Sequence, residues 1–320
     1  MKFQDSQRPG SRGRVDAVAE PIAAPDAVLA PGGLAVRSAL RDYWTLTKPE
    51  ISLLVMLSAL AGYLVGQPGM PDYWTLVMLM IGVGMTSAGV GALNQYFERD
   101  LDARMRRTSQ RPLPAGRLSP ASAARFGYLL VIGGVGMLCP LTNPLTGVLA
   151  AVTVVLYLFV YTPLKLRTTL NTLVGTIPGA LPALGGWTAA TGGLGSGGWV
   201  FFGILAAWQM PHFLSLAWMY RKDYARAGMR MPAARGADRS TRIQTLFFTS
   251  ILVPLGLLPW MLGLTGVVFA LGSTLLGLGF LYPAARFAHA ASSVTARHLL
   301  LASIAYIPML LVVLIMDRLL

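Results

Sequence analysis

The sequence predicts an all-α polytopic membrane protein, a bundle of about nine transmembrane helices. Three observations predict it. Of 320 residues, 54% are hydrophobic and only 12% are charged, a balance foreign to water-soluble domains. The hydrophobic residues gather in runs of about 20, the length that crosses a bilayer as a helix. The basic residues alternate with those runs as a membrane topology requires.

The runs lie at 51–66, 74–95, 121–140, 144–162, 169–190, 198–219, 243–263, 265–285 and 298–316. Pro49 opens the first, with Lys48 just before it. Pro163 ends the fourth, and Pro211 kinks or interrupts the sixth. Only the turn signals from Gly263 to Gly266 part the seventh from the eighth. Glycines recur at small-residue spacing: Gly82, Gly84, Gly89, Gly91; Gly133, Gly134, Gly136; Gly175, Gly179, Gly185, Gly186. Close helix packing in lipid explains them better than phosphate loops do. No GxxxxGK[ST] is present, so an ATP-driven transporter lacks support.

Charge placement tests the count. Of 26 Lys and Arg, seven precede the first run and seven surround the second connection. Two lie in the fourth connection, seven in the sixth and two in the eighth. Only Arg318 falls on the other side. The positive-inside rule makes the crowded side cytoplasmic, with the amino terminus inside and the carboxyl terminus outside. The net charge of +13 then reflects topology and anion handling, not nucleic-acid binding. Cys139 stands alone, which excludes a disulfide framework and suggests a small apolar core residue. Residues 1–40 are rich in Pro, Gly, Ala and Arg without apolar period. A disordered tail is expected there, followed by a membrane domain over 41–320. The tail lacks the apolar core of a signal peptide, and Asp5, Asp16, Glu20 and Asp26 do not suit a mitochondrial transit peptide.

Asn94, Glu98 and Asp102 carry the strongest chemical signal. Spaced i, i+4, i+8, they share one helical face, and helix rise sets the first and last about 12 Å apart. Oxygen-bearing side chains at a membrane boundary are costly unless used, and hard cations such as Mg²⁺ take oxygen ligands. Arg104, Arg106, Arg107, Arg111 and Arg117 follow. Acidic stripe and basic tail together suggest a site for a metal-bound polyanion. In the sixth region, His212 follows Pro211, and Tyr220 and Asp223 follow within a few residues. The histidine suits a metal ligand, a proton shuttle or a hydrogen bond to a neighbouring helix. Asp223 suits either a site or a salt bridge with Arg226 or Arg221. Lys48, Lys165 and Arg167 read as topology charges or as a diphosphate clamp.

These residues carry a resemblance. Asn94-xxx-Glu98-xxx-Asp102, Met105-x-Arg107-Thr108 and Arg111-Pro112-Leu113 resemble the membrane-embedded prenyltransferases of the UbiA superfamily. Thr47-Lys48-Pro49, Tyr161-Thr162, Gly179-Ala-Leu-Pro182, Gly186-Trp187, Trp208-Gln-Met-Pro-His212-Phe and Asp223-Tyr224-Ala-Arg226-Ala-Gly228 extend it over about 40–316. The pattern is most similar to the heme-modifying branch. Glu98 stands where Asp is usual in the family, and Asp223 stands alone where quinone-type relatives carry several Asp.

The resemblance implies transfer of a farnesyl group from farnesyl diphosphate to a vinyl group of heme b, giving heme O. It implies Mg²⁺ held by Asn94, Glu98, Asp102 and Asp223, which would also be the catalytic residues. Lys48, Arg106, Arg107, Lys165 and Arg167 would bind the diphosphate. His212 and Tyr220 would contact heme b, a substrate and not a resident cofactor, with His289 and His298 as weaker candidates. The expected setting is a bacterial inner membrane rather than a mitochondrial one, among membrane lipid. The expected partners are heme A synthase or oxidase assembly factors. Three other readings remain: prenylation of a quinone precursor or chlorophyllide, secondary transport, and non-catalytic heme handling. The topology predicts that a reporter fused after Leu320 is active only outside the cytoplasm; activity inside would break the nine-span pattern.

Overall fold

The computed structural model describes residues 32–67, 69–233 and 239–320, with side chains from Ser38 onward. The helices are α1 (Gly32–Leu46), α2 (Pro49–Gly66), α3 (Tyr73–Asp102), α4 (Pro120–Leu141), α5 (Pro144–Val155) and α6 (Thr162–Arg167). There follow α7 (Asn171–Thr191), α8 (Ser196–Met219), α9 (Arg221–Arg226), α10 (Arg239–Met261), α11 (Val267–His289) and α12 (Ser293–Leu319). Among the described residues there is no strand. A π-helical turn, Leu156–Tyr161, joins α5 to α6, so the rod runs from Pro144 to Arg167.

All nine predicted runs lie on helices, and eight of those helices are long and apolar enough to cross a membrane. The ninth, α7, is outside that set although it has 21 residues. Its glycines, threonines and two prolines replace large aliphatic residues, because protein rather than lipid surrounds it. α2, α5 and α8 all pack against it. Chain order otherwise gives neighbours: α3 on α4, α10 on α11, α11 on α12. The main apolar core lies between α8, α10, α11 and α12, around Phe201, Trp208, Phe269, Phe280, Phe287 and Tyr306.

Backbones approach closely where sequence supplies glycine. A methyl group at Gly186 would sit 1.9 Å from the Ala59 carbonyl oxygen, and one at Gly62 would sit 1.9 Å from that of Ala183. α2 and α7 therefore meet through two reciprocal contacts without side chains between them. The Gly263 turn is real: it adopts φ 70° and receives the end of α10 through Gly263 N–H to Trp260 and Leu264 N–H to Pro259.

Two expectations need correction. Cys139 is exposed on α4, so it is not a core residue. The tail expected over 1–40 falls mostly outside the described residues, but its end belongs to α1. α1 is tied to the bundle by buried Leu46, by Gln95 Nε2 donating to the Thr45 and Leu46 carbonyls at 3.1 Å, and by Arg117 with Asp42 at 3.0 Å. At the opposite end, Asp317 accepts from the Gly266 and Phe269 amides, and Arg318 donates to the Gln67 carbonyl at 2.7 Å.

The packing predicts that Gly186→Ala overpacks the α2–α7 contact and costs about 1–3 kcal/mol. Gly136→Ala, where an added methyl meets nothing within 4 Å, should be near neutral. Thermal unfolding in detergent, with membrane abundance alongside, checks the difference.

Candidate active site

α3 continues past its apolar run to Asp102, which places Asn94, Glu98 and Asp102 on one buried stripe. Glu98 is 5% exposed and Asp102 1%, so each needs a partner. Asp100, off the stripe, is exposed beside Arg99.

Each buried oxygen group meets a cation from another segment. Lys48 Nζ donates to Asn94 Oδ1 at 2.6 Å, and Lys165 Nζ donates to Glu98 Oε1 at 2.6 Å. Arg111 donates to Asp102 Oδ2 at 2.7 Å. Lys48 reaches its place through a left-handed backbone, φ 48° and ψ 62°, immediately before Pro49. No other non-glycine among the described residues has positive φ. Strain of this kind is costly and persists where surrounding contacts fix it. Burial, then the positive charge of Arg111, pushes the Lys48 ammonium down to about 7. Lys165 stands over the Tyr161 ring at 4.6 Å, and Tyr157 meets Tyr161 edge-on at 5.2 Å. Both tyrosines belong to the π turn, a device frequent at functional sites.

The loops at this end pack on each other. Met105 joins Ala217, Ala227, Met229, Met231 and Ala233 in a small apolar cluster. Asp223 Oδ2 accepts from the Arg107 amide at 3.3 Å, and Oδ1 accepts from Arg226 at 3.0 Å. The Arg107 guanidinium lies over the Tyr220 ring at 4.8 Å.

Below the charged end opens a cavity of about 280 Å³. Lys48, Tyr157 and Tyr161 line its polar end, and Leu149, Gly179, Gly185 and Trp208 are among its apolar walls. His212 lines it too. The His212 ring stacks on Trp208 at 5.3 Å, and its Nδ1 is 2.9 Å from Ser303 Oγ on α12.

The structure thus brings together Lys48, Asn94, Glu98, Asp102 and Lys165, all named from sequence. It adds Arg111, seen in the motif but not assigned to the diphosphate; its pairing with Asp102 crosses a folded loop that spacing does not reveal. Arg106 and Arg167 are exposed and outside the cluster. Tyr220 does not line the cavity but lies beneath Arg107. His289 and His298 are exposed. The expected four-residue metal set does not assemble: among the described residues no three His, Cys, Asp or Glu side chains converge. Asp223 instead ties the two loops. The α3 oxygens still suit Mg²⁺. They are hard donors, and Asp102 Oδ1 is buried without any partner. Mg²⁺ typically takes only one or two carboxylates, with phosphate oxygens and water for the rest.

This geometry has counterparts among known proteins. The UbiA prenyltransferase family model matches residues 55–312. The chain belongs to the UbiA prenyltransferase family. A protoheme IX farnesyltransferase of Salinibacter ruber is 55% identical over 279 residues, 87% of this chain and 99% of that protein. Among solved structures, that of a digeranylgeranylglyceryl phosphate synthase superposes with a TM-score of 0.72 at 16% identity, over 87% of this chain and 98% of that one. A UbiA homologue from Archaeoglobus fulgidus bound to GPP and Mg²⁺ gives 0.60 at 16% identity, over 85% and 99%. These two likenesses are of fold. The family's fold accounts for the helical bundle.

The pairing predicts that Glu98→Gln strands Lys165 and lowers turnover at least about 10-fold, a loss of about 1.4 kcal/mol of barrier stabilisation. Asp100→Asn should stay within about twofold. Equal turnover in Glu98→Gln and parent protein at limiting Mg²⁺ would remove Glu98 from the site.

Proposed function

We propose that this protein transfers the farnesyl group of farnesyl diphosphate to a vinyl group of heme b, making heme O. The observation that carries this reading is one cavity lined by Lys48, Tyr157 and Tyr161 beside the charged cluster, with His212 also in its wall. A diphosphate and a hydrophobic tail need the first part, and an iron porphyrin suits the second. The relative at 55% identity, named for the same reaction, supports it. The site end faces the cytoplasm of a bacterial inner membrane, where the basic residues gather.

Lys48, Lys165 and Arg111 would hold the diphosphate and offset charge that grows as its C–O bond breaks. Mg²⁺, held by Asn94, Glu98 and Asp102 together with diphosphate oxygens, would supply further positive charge to the leaving group. A UbiA homologue from Archaeoglobus fulgidus, bound to GPP and Mg²⁺, supports a divalent metal beside the diphosphate. Arg107, held by Asp223 and Tyr220, would stand at the rim. Tyr157 and Tyr161, which line the cavity, would place aromatic rings near the developing allylic cation. The mostly apolar walls would limit the approach of water to it. The vinyl carbon of heme b then forms the new C–C bond. Water adds to the neighbouring carbon and releases a proton, leaving a hydroxyl.

Purified protein incubated with heme b, Mg²⁺ and farnesyl diphosphate should yield a pigment heavier by a farnesyl group and one hydroxyl, resolved by mass. EDTA should suppress it and Mg²⁺ restore it. Prenylation of a quinone precursor or chlorophyllide, with heme b untouched, would replace this reading with the neighbouring one.

A further inference from the structure

His212 belongs to a three-residue arrangement across two helices. Trp208 and His212, one turn apart on α8, both engage Ser303 of α12. Trp208 Nε1 donates to the Ser303 carbonyl at 2.8 Å, and His212 Nδ1 lies 2.9 Å from Ser303 Oγ. Ser303 is fully buried. Its hydroxyl also lies 2.6 Å from the Leu300 carbonyl oxygen.

Hydrogen-bond bookkeeping decides where the imidazole proton sits. A carbonyl oxygen has no proton to give, and two oxygens 2.6 Å apart need one between them. The Ser303 hydroxyl has a single proton, so the Leu300 carbonyl takes it. Toward His212, Ser303 Oγ is therefore an acceptor, and Nδ1 must be the donor. No carboxylate contacts the ring among the described residues, and an unpaired charge inside a membrane bundle is costly. A neutral imidazole with its proton on Nδ1 carries a lone pair on Nε2. Nε2 makes no hydrogen bond and is not among the buried polar atoms sealed from their surroundings. The ring lines the cavity.

We infer that Ser303 is a positioning residue: it locks His212 in the Nδ1–H tautomer, so that the Nε2 lone pair is offered to the iron of the acceptor. The use made of that lone pair rests on the proposed heme contact; the lock does not. Iron-binding histidines commonly donate their second N–H to a fixed oxygen, which sets tautomer and ring orientation together. Here Ser303 is itself held twice, by its hydroxyl's back-bond to Leu300 and by Trp208 on its carbonyl. The stacked indole holds the ring plane, with 26° between the two.

The chain has three histidines, and two are exposed. Full-length protein with His289→Gln and His298→Gln therefore carries a single imidazole, and its ¹⁵N spectrum reads the tautomer without heme. The expected spectrum shows Nδ1 protonated and Nε2 bare. Ser303→Ala should let the Nε2–H form appear, and Ser303→Thr, which keeps the hydroxyl, should restore the parent spectrum. Heme affinity should fall about 10- to 100-fold in Ser303→Ala and recover in Ser303→Thr. A parent spectrum with Nε2 protonated, or with both nitrogens protonated, overturns the lock, and that spectrum needs no Ser303 variant to fold. A bare Nε2 with heme affinity unchanged in His212→Ala upholds the lock and overturns the heme contact instead.

Discussion

The site depends on burying its carboxylates only beside cations. Glu98 and Lys165 have side chains 6% and 11% exposed, and each would be expensive alone at the edge of a bilayer. Their 2.6 Å bond holds the end of α3 to the end of the α5–α6 rod. Arg111 and Asp102 repeat the arrangement between α3 and the loop after it, and at the start of α2 Lys48 bonds the neutral amide of Asn94. Four segments thus converge because none of their polar groups is stable without the others. Such pairs are poor sources of net stability, since desolvation offsets most of the attraction. Their value lies in fixing where cations stand before an anion arrives.

Backbone irregularity serves the same end. The left-handed Lys48 turns its ammonium inward just ahead of Pro49. The π turn inserts extra residues into the α5–α6 rod, re-aiming Tyr161 and Lys165 relative to a regular helix. Gly175 accommodates the ring that results: an added methyl there would sit 2.6 Å from Tyr161. A regular helix formed from the same sequence would carry Lys165 elsewhere around its axis.

Much of this was legible in the residues. The nine runs became helices because apolar length is a strong local signal, and the α3 stripe was legible because helical periodicity is local too. The pairings were not, since Lys165 and Glu98 are 67 residues apart and Arg107 and Asp223 are 116 apart. Candidate cations chosen by proximity to a motif divided accordingly: Lys48 and Lys165 point into the cluster, while Arg106 and Arg167 stay exposed. Tyr220 illustrates the same limit. Nearness to His212 in sequence suggested a shared role, but α8 ends between them and sends Tyr220 beneath Arg107. The character of α7 was half visible. Its glycines announced close packing, but only the fold shows that helices surround it on several sides.

The position of the acids also separates classes of function. Secondary transporters place ionisable groups near the bilayer midplane, at the junction of repeated halves. Here Glu98, Asp102 and Asp223 all sit at one end, under loops that pack on each other through Met105 and its neighbours. Beneath them lies a cavity whose walls are mostly apolar and whose hydroxyl groups largely bond their own helices, as Ser58, Thr86 and Thr153 do. An ion crossing that space would find few ligands beyond the mouth. A diphosphate carrying an isoprenoid chain meets the opposite conditions at its two ends, charge for the head and hydrocarbon for the tail. In the proposed reaction, the cation left when the head departs would lie in the cavity that Tyr157 and Tyr161 line, with the acceptor as its nucleophile. The division between a charged mouth and an apolar interior is what suits the fold to making carbon–carbon bonds inside a membrane.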